Sequence, residues 1–246
     1  MGAVDKIHKI FSLLDNTDSI KAFLTWPKFS LTSFTVVSRL AKQGKLPNTV
    51  LDVGAHTGQF TVASAKLFPG VEVHSFEPVP HSVERLRKNV SKLEHVTVYP
   101  YALGDREGEL TLRVNADSQQ SSILPLAQAR RDAFPNARET HQIEVKVSTL
   151  DRVFAGIDFR PPVLLKLDVQ GYEAHTMRGG TKTLQRVDYA IIEASFKPTY
   201  EGEPTFMDLA RMMEERDFRF ECPLNCYAVP RSGAIFEIDA LFVRSS

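Results

Sequence analysis

VLDVGAHTGQF, residues 50–60, runs from an apolar segment into a turn punctuated by Gly54 and Gly58. The apolar part has the pattern of a buried strand, and the residues after Gly58 have the pattern of a helix. Glycines at such a turn let the backbone bend sharply and approach a ligand closely. Because the following helix presents free N–H groups at its start, the stretch predicts a binding turn at the mouth of a sheet.

Strand-like and helix-like segments alternate along most of the chain. This order predicts βαβ units around a parallel sheet with helices on both faces. One of the strand-like stretches, HVTVYPYALGD, is predicted to form a single strand. The last two, FRFECPL and GAIFEIDALFVR, are close in sequence and separated by Ser-Gly turn chemistry. We therefore expect these two to pair antiparallel at the end of the sheet.

Two segments stand apart from this alternation. Residues 1–46 have the periodicity of amphipathic helices, with apolar faces at residues 4–14 and 31–40. Such helices cap a sheet, cover a ligand as a lid or rest on a membrane surface, and packing against the core is the commonest of these fates. Residues 47–246 are predicted to form the main domain, in which residues 115–141 form a long polar loop.

The composition narrows the classes of molecule that are expected to bind the chain. The 30 basic and 30 acidic side chains give a formal net charge of +0, so no overall field draws it to nucleic acid or to an anionic membrane. The sequence has neither a signal-peptide pattern nor an apolar run that could span a bilayer. Cys222 and Cys226 are interpreted as reduced thiols, because a zinc site needs about four ligands. We expect a cytoplasmic protein with no nucleic-acid partner and no membrane span, and no feature indicates its oligomeric state.

Acidic residues at the ends of the predicted strands narrow the chemical class of the expected ligand. Ligands of open α/β sheets bind outside the carboxyl ends of the strands. Asp52 ends the first strand, where it would repel a pyrophosphate and accept hydrogen bonds from an ammonium group, and the glycine turn lacks the G-x-G pair of dinucleotide sites. Glu77 ends the next strand, where nucleoside-binding proteins place an acid for the ribose hydroxyls. A nucleoside joined to an amino acid is therefore predicted, and S-adenosylmethionine fits that description.

A series of short motifs gives the chain a specific family resemblance. The motifs are, in order, VLDVGAHTGQFT, FEPVP, ALGD with GELTL, SSIL, STLD, LLKLDVQGYE and IIEAS. Over residues 48–243 the chain resembles the FkbM family of S-adenosylmethionine-dependent O-methyltransferases. Many class I methyltransferases share the first motif, whereas KLDVQGYE together with ALGD and GELTL narrows the resemblance to this family.

The resemblance implies both a fold and an activity. The implied fold is the class I methyltransferase Rossmann-like sheet of seven mostly parallel strands, with the last strand antiparallel and helices on both faces. The implied activity moves a methyl group to a hydroxyl of a sugar in a glycan or glycoconjugate. Two alternatives remain open at this point: O-methylation of a polyketide or lipid hydroxyl, and a non-catalytic nucleoside-binding or scaffold protein.

The resemblance also assigns the residues that hold the methyl donor. The glycine turn would hold the methionine part, the strand end at residue 77 the ribose, and the ALGD turn the adenine. In this resemblance His56 stands where many relatives have Asn. The predicted donor-binding residues are Asp52, Gly54, His56, Gly58, Glu77, Pro78, Ala102, Leu103 and Asp105.

Methyl transfer to a hydroxyl needs help for the attacking oxygen, and the sequence offers two kinds. Asp168, Glu173 and His175 are candidates for the general base that removes the hydroxyl proton. Alternatively, Asp168 and Glu193 end what should be neighbouring parallel strands, so both carboxylates could bind Mg²⁺ or a similar cation. Glu173 also suits a capping role, and the sequence does not separate these possibilities. Gly171 is expected to supply an unusual backbone angle.

The remaining candidates face the small-molecule or glycan acceptor. Lys166 shares a strand face with Asp168 and would pair with that carboxylate or contact the acceptor. The loop at residues 115–141 is expected on the acceptor side, because polar loops over a sheet mouth commonly select the acceptor. The predicted acceptor-binding residues are Ser121, Ser122, Lys166 and Tyr172.

Overall fold

The computed structural model describes residues 17–115, 121–133, 139–229 and 233–245. In chain order, the strands are β1 (Thr49–Val53), β2 (Glu72–Phe76), β3 (Val96–Tyr99), β4 (Ala102–Leu103), β5 (Gly108–Asn115), β6 (Glu139–Ser148), β7 (Val163–Leu167), β8 (Tyr189–Ser195), β9 (Phe218–Ala228) and β10 (Ile235–Arg244). The helices are α1 (Thr17–Thr25), α2 (Leu31–Lys42), α3 (Gln59–Leu67), α4 (Pro80–Val90), α5 (Gln128–Ala133), α6 (Leu150–Val153), α7 (Glu173–Arg178), α8 (Thr181–Leu184) and α9 (Phe206–Glu214).

Helix α2 packs its apolar face on the main domain. It begins after Ser30, whose side-chain oxygen accepts a hydrogen bond from the Ser33 N–H and satisfies a free donor of the first turn. Val37 and Leu40 of the predicted face are buried in a cluster with side chains of β1 and α3. The other predicted face, at residues 4–14, lies outside the described residues. No helix in the described part of the chain has the length and apolar character needed to cross a bilayer.

Seven strands form the main sheet, in the order β3-β2-β1-β7-β8-β10-β9. The first four pairs in this order are parallel, whereas β10 runs antiparallel to both β8 and β9. The predicted sheet, mostly parallel with an antiparallel last strand, is therefore confirmed. Strands β1 and β7 lie in the middle with all their residues buried, which explains why they are mainly apolar apart from Thr49, Asp52 and Lys166.

A smaller sheet, ordered β4-β6-β5, accompanies the main one. The stretch HVTVYPYALGD does not form the single strand predicted for it, since β3 lies in the main sheet and β4 in the small one. Pro100 lies between the two strands, and proline cannot donate a hydrogen bond to a strand ladder. The chain therefore changes sheets at that residue.

The segment predicted as a long polar loop contains regular structure. Its residues 121–133 include helix α5, and Ser122 forms an antiparallel bridge with Arg113 of β5. The remaining parts of the loop, residues 116–120 and 134–138, lie outside the described residues. The described part is therefore attached to the small sheet rather than projecting from it.

The strand register aligns residues near the carboxyl ends of four parallel strands; β2, β1 and β7 end there, whereas β8 continues through Glu193, which was predicted to end it, to Ser195. Phe76 pairs with Val53, Val53 with Leu167, and Leu167 with Ile192. The next residue on each strand therefore also stands in a row along the carboxyl edge of the sheet. This row reads Glu77, Gly54, Asp168 and Glu193 across β2, β1, β7 and β8.

Candidate active site

A cavity of about 970 Å³ opens over this row of residues. The first turn of α2 and the facing parts of β9 and β10 complete its walls. The predicted site residues that line it are Gly54, His56, Glu77, Pro78, Ala102, Leu103, Ser121, Lys166, Asp168, Tyr172 and Glu193. The predicted residues that lie behind this lining are Asp52, Gly58, Asp105, Ser122, Glu173 and His175.

Gly54 brings the turn after β1 into direct contact with the backbone after β7. Its φ is +88°, and a Cβ added there would lie 1.8 Å from the carbonyl oxygen of Asp168. Only glycine fits such a contact, since a side chain would overlap backbone atoms. Gly58 also has a positive φ, and a Cβ there would lie 2.7 Å from Leu86 Cδ1. The turn is thus tightly packed as well as open to a ligand.

His56 and Glu77 are joined through the backbone of the turn. The His56 N–H donates to Glu77 Oε2 at 2.9 Å, and the Val79 N–H donates to Glu77 Oε1 at 2.8 Å. His56 has a φ of 48°, a left-handed conformation in which Asn, Asp and His are enriched among residues other than glycine. This explains how His can occupy a position where relatives carry Asn. Burial raises the pKa of Glu77 to about 7.

Asp52 lies fully buried beneath the glycine turn. Its Oδ2 accepts a hydrogen bond from Thr61 Oγ1 at 2.7 Å, while Oδ1 has no hydrogen-bond partner among the described residues. Burial raises the pKa of this carboxyl, and the charge of Lys166 opposes part of the increase. A buried carboxylate oxygen that lacks a partner suits a cationic group, which is the chemistry predicted for this position.

The ALGD turn forms the side of the cavity where adenine is predicted. Ala102 and Leu103 line the cavity with apolar surface. Asp105 Oδ2 lies 2.9 Å from Nδ1 of His175, whose ring stacks on Tyr172 at a centroid distance of 4.1 Å. The hydrogen bond with His175 lowers the pKa of the Asp105 carboxyl. His175 thus fastens the ALGD turn to α7, outside the cavity lining.

Asp168 and Lys166 form an ion pair in the cavity wall. The Lys166 Nζ donates to Asp168 Oδ2 at 2.8 Å, and both side chains line the cavity. Burial alone would raise the pKa of Asp168, but the charge of Lys166 and hydrogen bonds from its neighbours outweigh this effect and lower it. Asp168 is therefore held as a carboxylate, with 29% of its side chain exposed.

Gln170 links Asp168 to Glu193 of β8. Its side-chain Nε2 donates to Asp168 Oδ1 at 2.9 Å and to Glu193 Oε2 at 2.5 Å. The two carboxyl groups therefore converge, as expected from their neighbouring strands. Burial raises the pKa of Glu193 well above its ordinary value, and the charge of Asp168 adds to the increase. The two carboxyl groups therefore have pKa values shifted in opposite directions, that of Asp168 downward and that of Glu193 upward.

Glu173 braces the turn that follows Asp168. Its Oε1 accepts hydrogen bonds from the Val169 N–H at 3.0 Å and from the Gly171 N–H at 3.3 Å. The residue is 2% exposed, and burial raises the pKa of its carboxyl to about 8. Gly171 has the unusual angle expected of it, with a φ of 93°. Glu173 therefore braces the turn before α7, whereas the start of that helix has no side-chain cap.

The serines of the SSIL motif attach residues 121–133 to the site. Ser122 Oγ donates to the Gln170 carbonyl at 2.6 Å and accepts from the Leu124 N–H at 3.0 Å. Ser121 Oγ accepts from the Asn115 N–H at 3.3 Å, and Ser121 also lines the cavity. Ser122 therefore joins the segment to the turn after β7.

The Methyltransferase FkbM domain matches residues 52–220, which is more than half of the chain. The chain belongs to the FkbM methyltransferase family. Two curated relatives are each 25% identical to it. One is the 2-O-methyltransferase NoeI of Sinorhizobium fredii, and the match covers 68% of this chain and 70% of the relative. The other is the hexuronic acid methyltransferase AglP of Haloferax volcanii, and the match covers 64% of this chain and 60% of the relative. This FkbM protein is therefore a methyltransferase.

A solved structure shares the fold of this FkbM protein. The methyltransferase domain of bacterial CtHen1-C superposes with a TM-score of 0.50 at 10% identity. The match covers 87% of this chain and 97% of that domain. At this identity the likeness concerns the fold alone, and it agrees with the class I sheet implied by the sequence.

The carboxyl pair of this FkbM protein does not fit the metal predicted for Asp168 and Glu193. Lys166 donates to one oxygen of Asp168, and Gln170 donates to the other and to Glu193. The lone pairs that a metal cation would bind are thus already used by hydrogen-bond donors and by the Lys166 ammonium. In the described ranges, no group of three or more His, Cys, Asp or Glu side chains is placed to hold a metal ion.

The sequence interpretation missed several residues of the cavity wall. Gln170, Arg130 and Tyr227 line it, and so do Glu237 and Asp239 of β10. The two acids alternate with an apolar residue in the stretch FEIDAL, so they share one face of the strand. Acids on the inner face of a buried strand are a signal that sequence reading could have used. For the other three residues, the chain carries no comparable pattern.

Proposed function

We propose that this FkbM protein is an S-adenosylmethionine-dependent O-methyltransferase that acts on a sugar hydroxyl of a glycan or glycoconjugate. The observation that carries the proposal is the Asp168 carboxylate, which faces the cavity beside the glycine turn and is kept ionised by Lys166. The names of the two relatives, a 2-O-methyltransferase and a hexuronic acid methyltransferase, support a sugar acceptor.

The donor half of the cavity, which we define as Gly54, His56 and Glu77, fits S-adenosylmethionine. This donor supplies a methyl group made electrophilic by a sulfonium. Each Glu77 oxygen accepts one backbone N–H and keeps a second lone pair for a ribose hydroxyl. Asp52 is fully buried behind the lining, so it would act on the methionine part by supporting the glycine turn rather than by direct contact.

Asp168 would act as the general base. A hydroxyl becomes strongly acidic as its oxygen forms a bond to the methyl carbon, so a carboxylate can take its proton during transfer. Lys166 holds Asp168 in the ionised form that this step requires. A positioned base of this kind typically contributes about 10²–10⁴-fold to the rate. After the transfer, the Lys166 ammonium stays in place beside the protonated Asp168.

The acceptor half of the cavity, which we define as Asp168, Gln170, Glu193, Glu237 and Asp239, suits a polyhydroxylated ligand. Its side chains offer both acceptors and donors, because burial raises the pKa of Glu237 to about 7 and that of Asp239 to about 6. A sugar presents hydroxyl groups that donate and accept in turn. Such walls discriminate strongly, since an unmatched buried polar group is costly.

We also propose the cytoplasm as the location of this enzyme and a carbohydrate rather than a nucleic acid as its partner. Cys222 and Cys226 are both free thiols, which suits a reducing compartment. The equal numbers of acidic and basic side chains give no overall attraction to a phosphate backbone.

Methyl-labelled S-adenosylmethionine and an acceptor panel test this function. The panel contains neutral hexosides, deoxyhexosides, amino sugars and hexuronic acids, together with polyketide and long-chain alcohols, and mass spectrometry detects the labelled product. We expect transfer to a sugar hydroxyl and a loss of about 10²–10⁴-fold in Asp168→Asn. Transfer confined to polyketide or lipid alcohols would contradict the sugar acceptor.

Two controls sharpen the test. Asp158→Asn makes the same chemical change at an exposed position and should retain the rate. Addition of EDTA should also leave the rate unchanged, because Lys166 and Gln170 already bind both oxygens of Asp168. If EDTA abolished transfer and Mg²⁺ restored it, the assignment of Asp168 as a metal-free base would be wrong.

A further inference from the structure

We infer that Gln170 is a positioning residue, whose side-chain amide holds the Asp168 carboxylate in the orientation needed for proton transfer. The inference rests on the proposed function, because it takes Asp168 as the base. It concerns a residue of the KLDVQGYE motif to which the sequence analysis assigned no role, and it explains why the turn after β7 is fixed by so many hydrogen bonds.

The amide of Gln170 lies at the centre of three side chains. Its Nε2 donates to Asp168 Oδ1 at 2.9 Å and to Glu193 Oε2 at 2.5 Å. Its Oε1 accepts from the hydroxyl of Tyr200 at 2.7 Å. Both amide hydrogens and the amide oxygen are therefore used, and each bond joins a different part of the fold.

Chemistry fixes which way this amide points. Asp168 is ionised and can only accept, so the –NH₂ group must face it. Burial raises the pKa of Tyr200, whose side chain is among the largest fully buried ones, so its hydroxyl keeps its proton and can donate. A flipped amide would set its carbonyl oxygen against the Asp168 carboxylate, which has no proton to donate. Tyr200 thus locks the orientation from the opposite side.

The backbone of Gln170 is held as firmly as its side chain. Its φ is 54°, a left-handed conformation that is uncommon outside glycine. Ser122 Oγ donates to its carbonyl oxygen at 2.6 Å, and Glu173 accepts from the N–H groups of Val169 and Gly171 on either side. A strained residue persists only where its surroundings over-determine it, and such residues cluster at functional sites.

Asp168 has side-chain hydrogen bonds with Lys166, Gln170 and Glu193, and the bonds from Lys166 and Gln170 have different consequences. Lys166 binds Oδ2 through a flexible ammonium, which leaves the carboxylate free to rotate about its Cβ–Cγ bond. Gln170 binds Oδ1 and removes that freedom. With both oxygens engaged, the remaining lone pairs point in fixed directions. A base within reach but wrongly oriented loses rate without loss of binding, since a misplacement of about 1 Å can cost about 10²-fold.

Several charged groups surround Asp168, and the amide acts among them. On the neighbouring strands these are Asp52, Glu77, Lys166, Glu193, Glu237 and Asp239. Glu173 lies on the following turn, and Arg130 approaches from α5, with its Nη1 3.8 Å from Glu237 Oε2. These groups remain when Gln170 is replaced, so its contribution can be measured against a constant background.

Gln170→Met tests the inference, because methionine keeps the length of the side chain and removes its hydrogen bonds. We expect kcat to fall about 10²-fold while KM for donor and acceptor stays within about twofold. Tyr200→Phe should lower kcat by a smaller factor, since it removes only the bond that orients the amide. Matched controls are Gln185→Met at an exposed position and Tyr189→Phe at the far end of β8, and both should retain kcat.

A double-mutant cycle separates positioning from a merely structural effect. If Gln170 acts through Asp168, then Gln170→Met should change the residual kcat of Asp168→Asn by less than about twofold. An equal loss of kcat in both backgrounds would overturn the inference, as would a rise in KM with kcat unchanged.

The original protein, Gln170→Met, Asp168→Asn and the double variant are also compared by urea unfolding, which needs no acceptor. We expect the shifts in unfolding midpoint to be non-additive, because the two side chains are in direct contact. If no acceptor were methylated, the proposed function would fail while this cycle still measured the contact. Additive midpoints would contradict the inference independently of activity.

Discussion

The donor half of the cavity is built largely from backbone, whereas the acceptor half is built from side chains. In the donor half, Glu77 is held by two backbone N–H groups, and Gly54 lies against a backbone carbonyl. In the acceptor half, the contacts of Asp168 and Glu193 run through the side chains of Lys166 and Gln170. The first half therefore depends on the path of the chain and the second on the identity of each residue.

This difference predicts different responses to substitution. A change in the donor half that alters the backbone should affect folding, because its atoms also join two strands. A change in the acceptor half should affect turnover or acceptor choice first, because its side chains lie on strands that the core already holds. The expected effects below run from the largest to the smallest.

Gly54→Ala should have the largest effect. The added Cβ would lie 1.8 Å from the Asp168 carbonyl oxygen, and the φ of +88° is unfavourable for any L-residue. We expect a loss of about 3 kcal/mol or more in unfolding free energy, measured by urea denaturation.

Gly156→Ala is the matched control, since its φ is +77° and nothing lies within 4 Å of the added Cβ. It should cost only about 1 kcal/mol, the ordinary cost of a left-handed backbone for alanine. Equal losses in the two variants would mean that the contact between β1 and β7 does not limit stability.

Glu77→Ala should weaken donor binding with a smaller effect on folding. It removes the carboxylate that would hold the ribose and leaves the His56 and Val79 N–H groups without their acceptor. We expect the Kd for S-adenosylmethionine to rise about 10²-fold, since hydrogen bonds to charged groups are worth about 1.5–3 kcal/mol each. Isothermal titration and the donor-induced increase in Tm measure this.

Glu94→Ala, at an exposed position, should leave the donor-induced Tm shift intact. A Glu77→Ala protein that S-adenosylmethionine stabilises as strongly as the original would remove Glu77 from the donor site.

Glu173→Gln should change the pH dependence of stability more than stability itself. Burial raises the pKa of Glu173 from an ordinary 4.5 to about 8, so the folded chain keeps a proton that the unfolded chain releases. Stability from this group is therefore lost as pH rises from about 4.5 to 8. For each pH unit in the upper part of this range, we expect the unfolding free energy of the variant to fall by about 1 kcal/mol less than that of the original protein.

Thermal and urea unfolding at pH 6, 7 and 8 check this slope. Glu214→Gln, on the exposed side of α9, should retain the original slope. A Glu173→Gln slope that matches the original would show that this carboxyl does not control the pH dependence. Glu237 and Asp239 have raised pKa values in both proteins and provide a common background.

The proximity of the glycine turn and Glu77 could be predicted from the sequence because the two are close along the chain. A glycine turn after an apolar strand and an acid about one βα unit later encode the arrangement locally, and His56 and Glu77 are only 21 residues apart. The parallel order of the sheet followed from the alternation of strands and helices. His56 itself needed the structure, because neither its φ of 48° nor the hydrogen bond from its N–H to Glu77 follows from a sequence pattern.

The side-chain contacts of the acceptor half could not be predicted from the sequence in the same way. Gln170 contacts Tyr200, 30 residues away, and Ser122, 48 residues away, and neither separation follows a local period. Glu173 and His175 looked like catalytic candidates because of their chemistry and their nearness to Asp168. Their carboxylate and ring are used to fasten turns, a distinction that depends on which way each side chain points.

The connection between β5 and β6 leaves from the paired residues Asn115 and Glu139 of an antiparallel ladder. Its two ends are thus neighbours in space, whatever the length of chain between them. Loop exchange preserves a scaffold best when the ends are already fixed by their own hydrogen bonds. An exchange of this connection would therefore keep both ladder ends in place, yet it would also remove the Ser122 hydrogen bond to Gln170 and so alter the turn that carries Asp168.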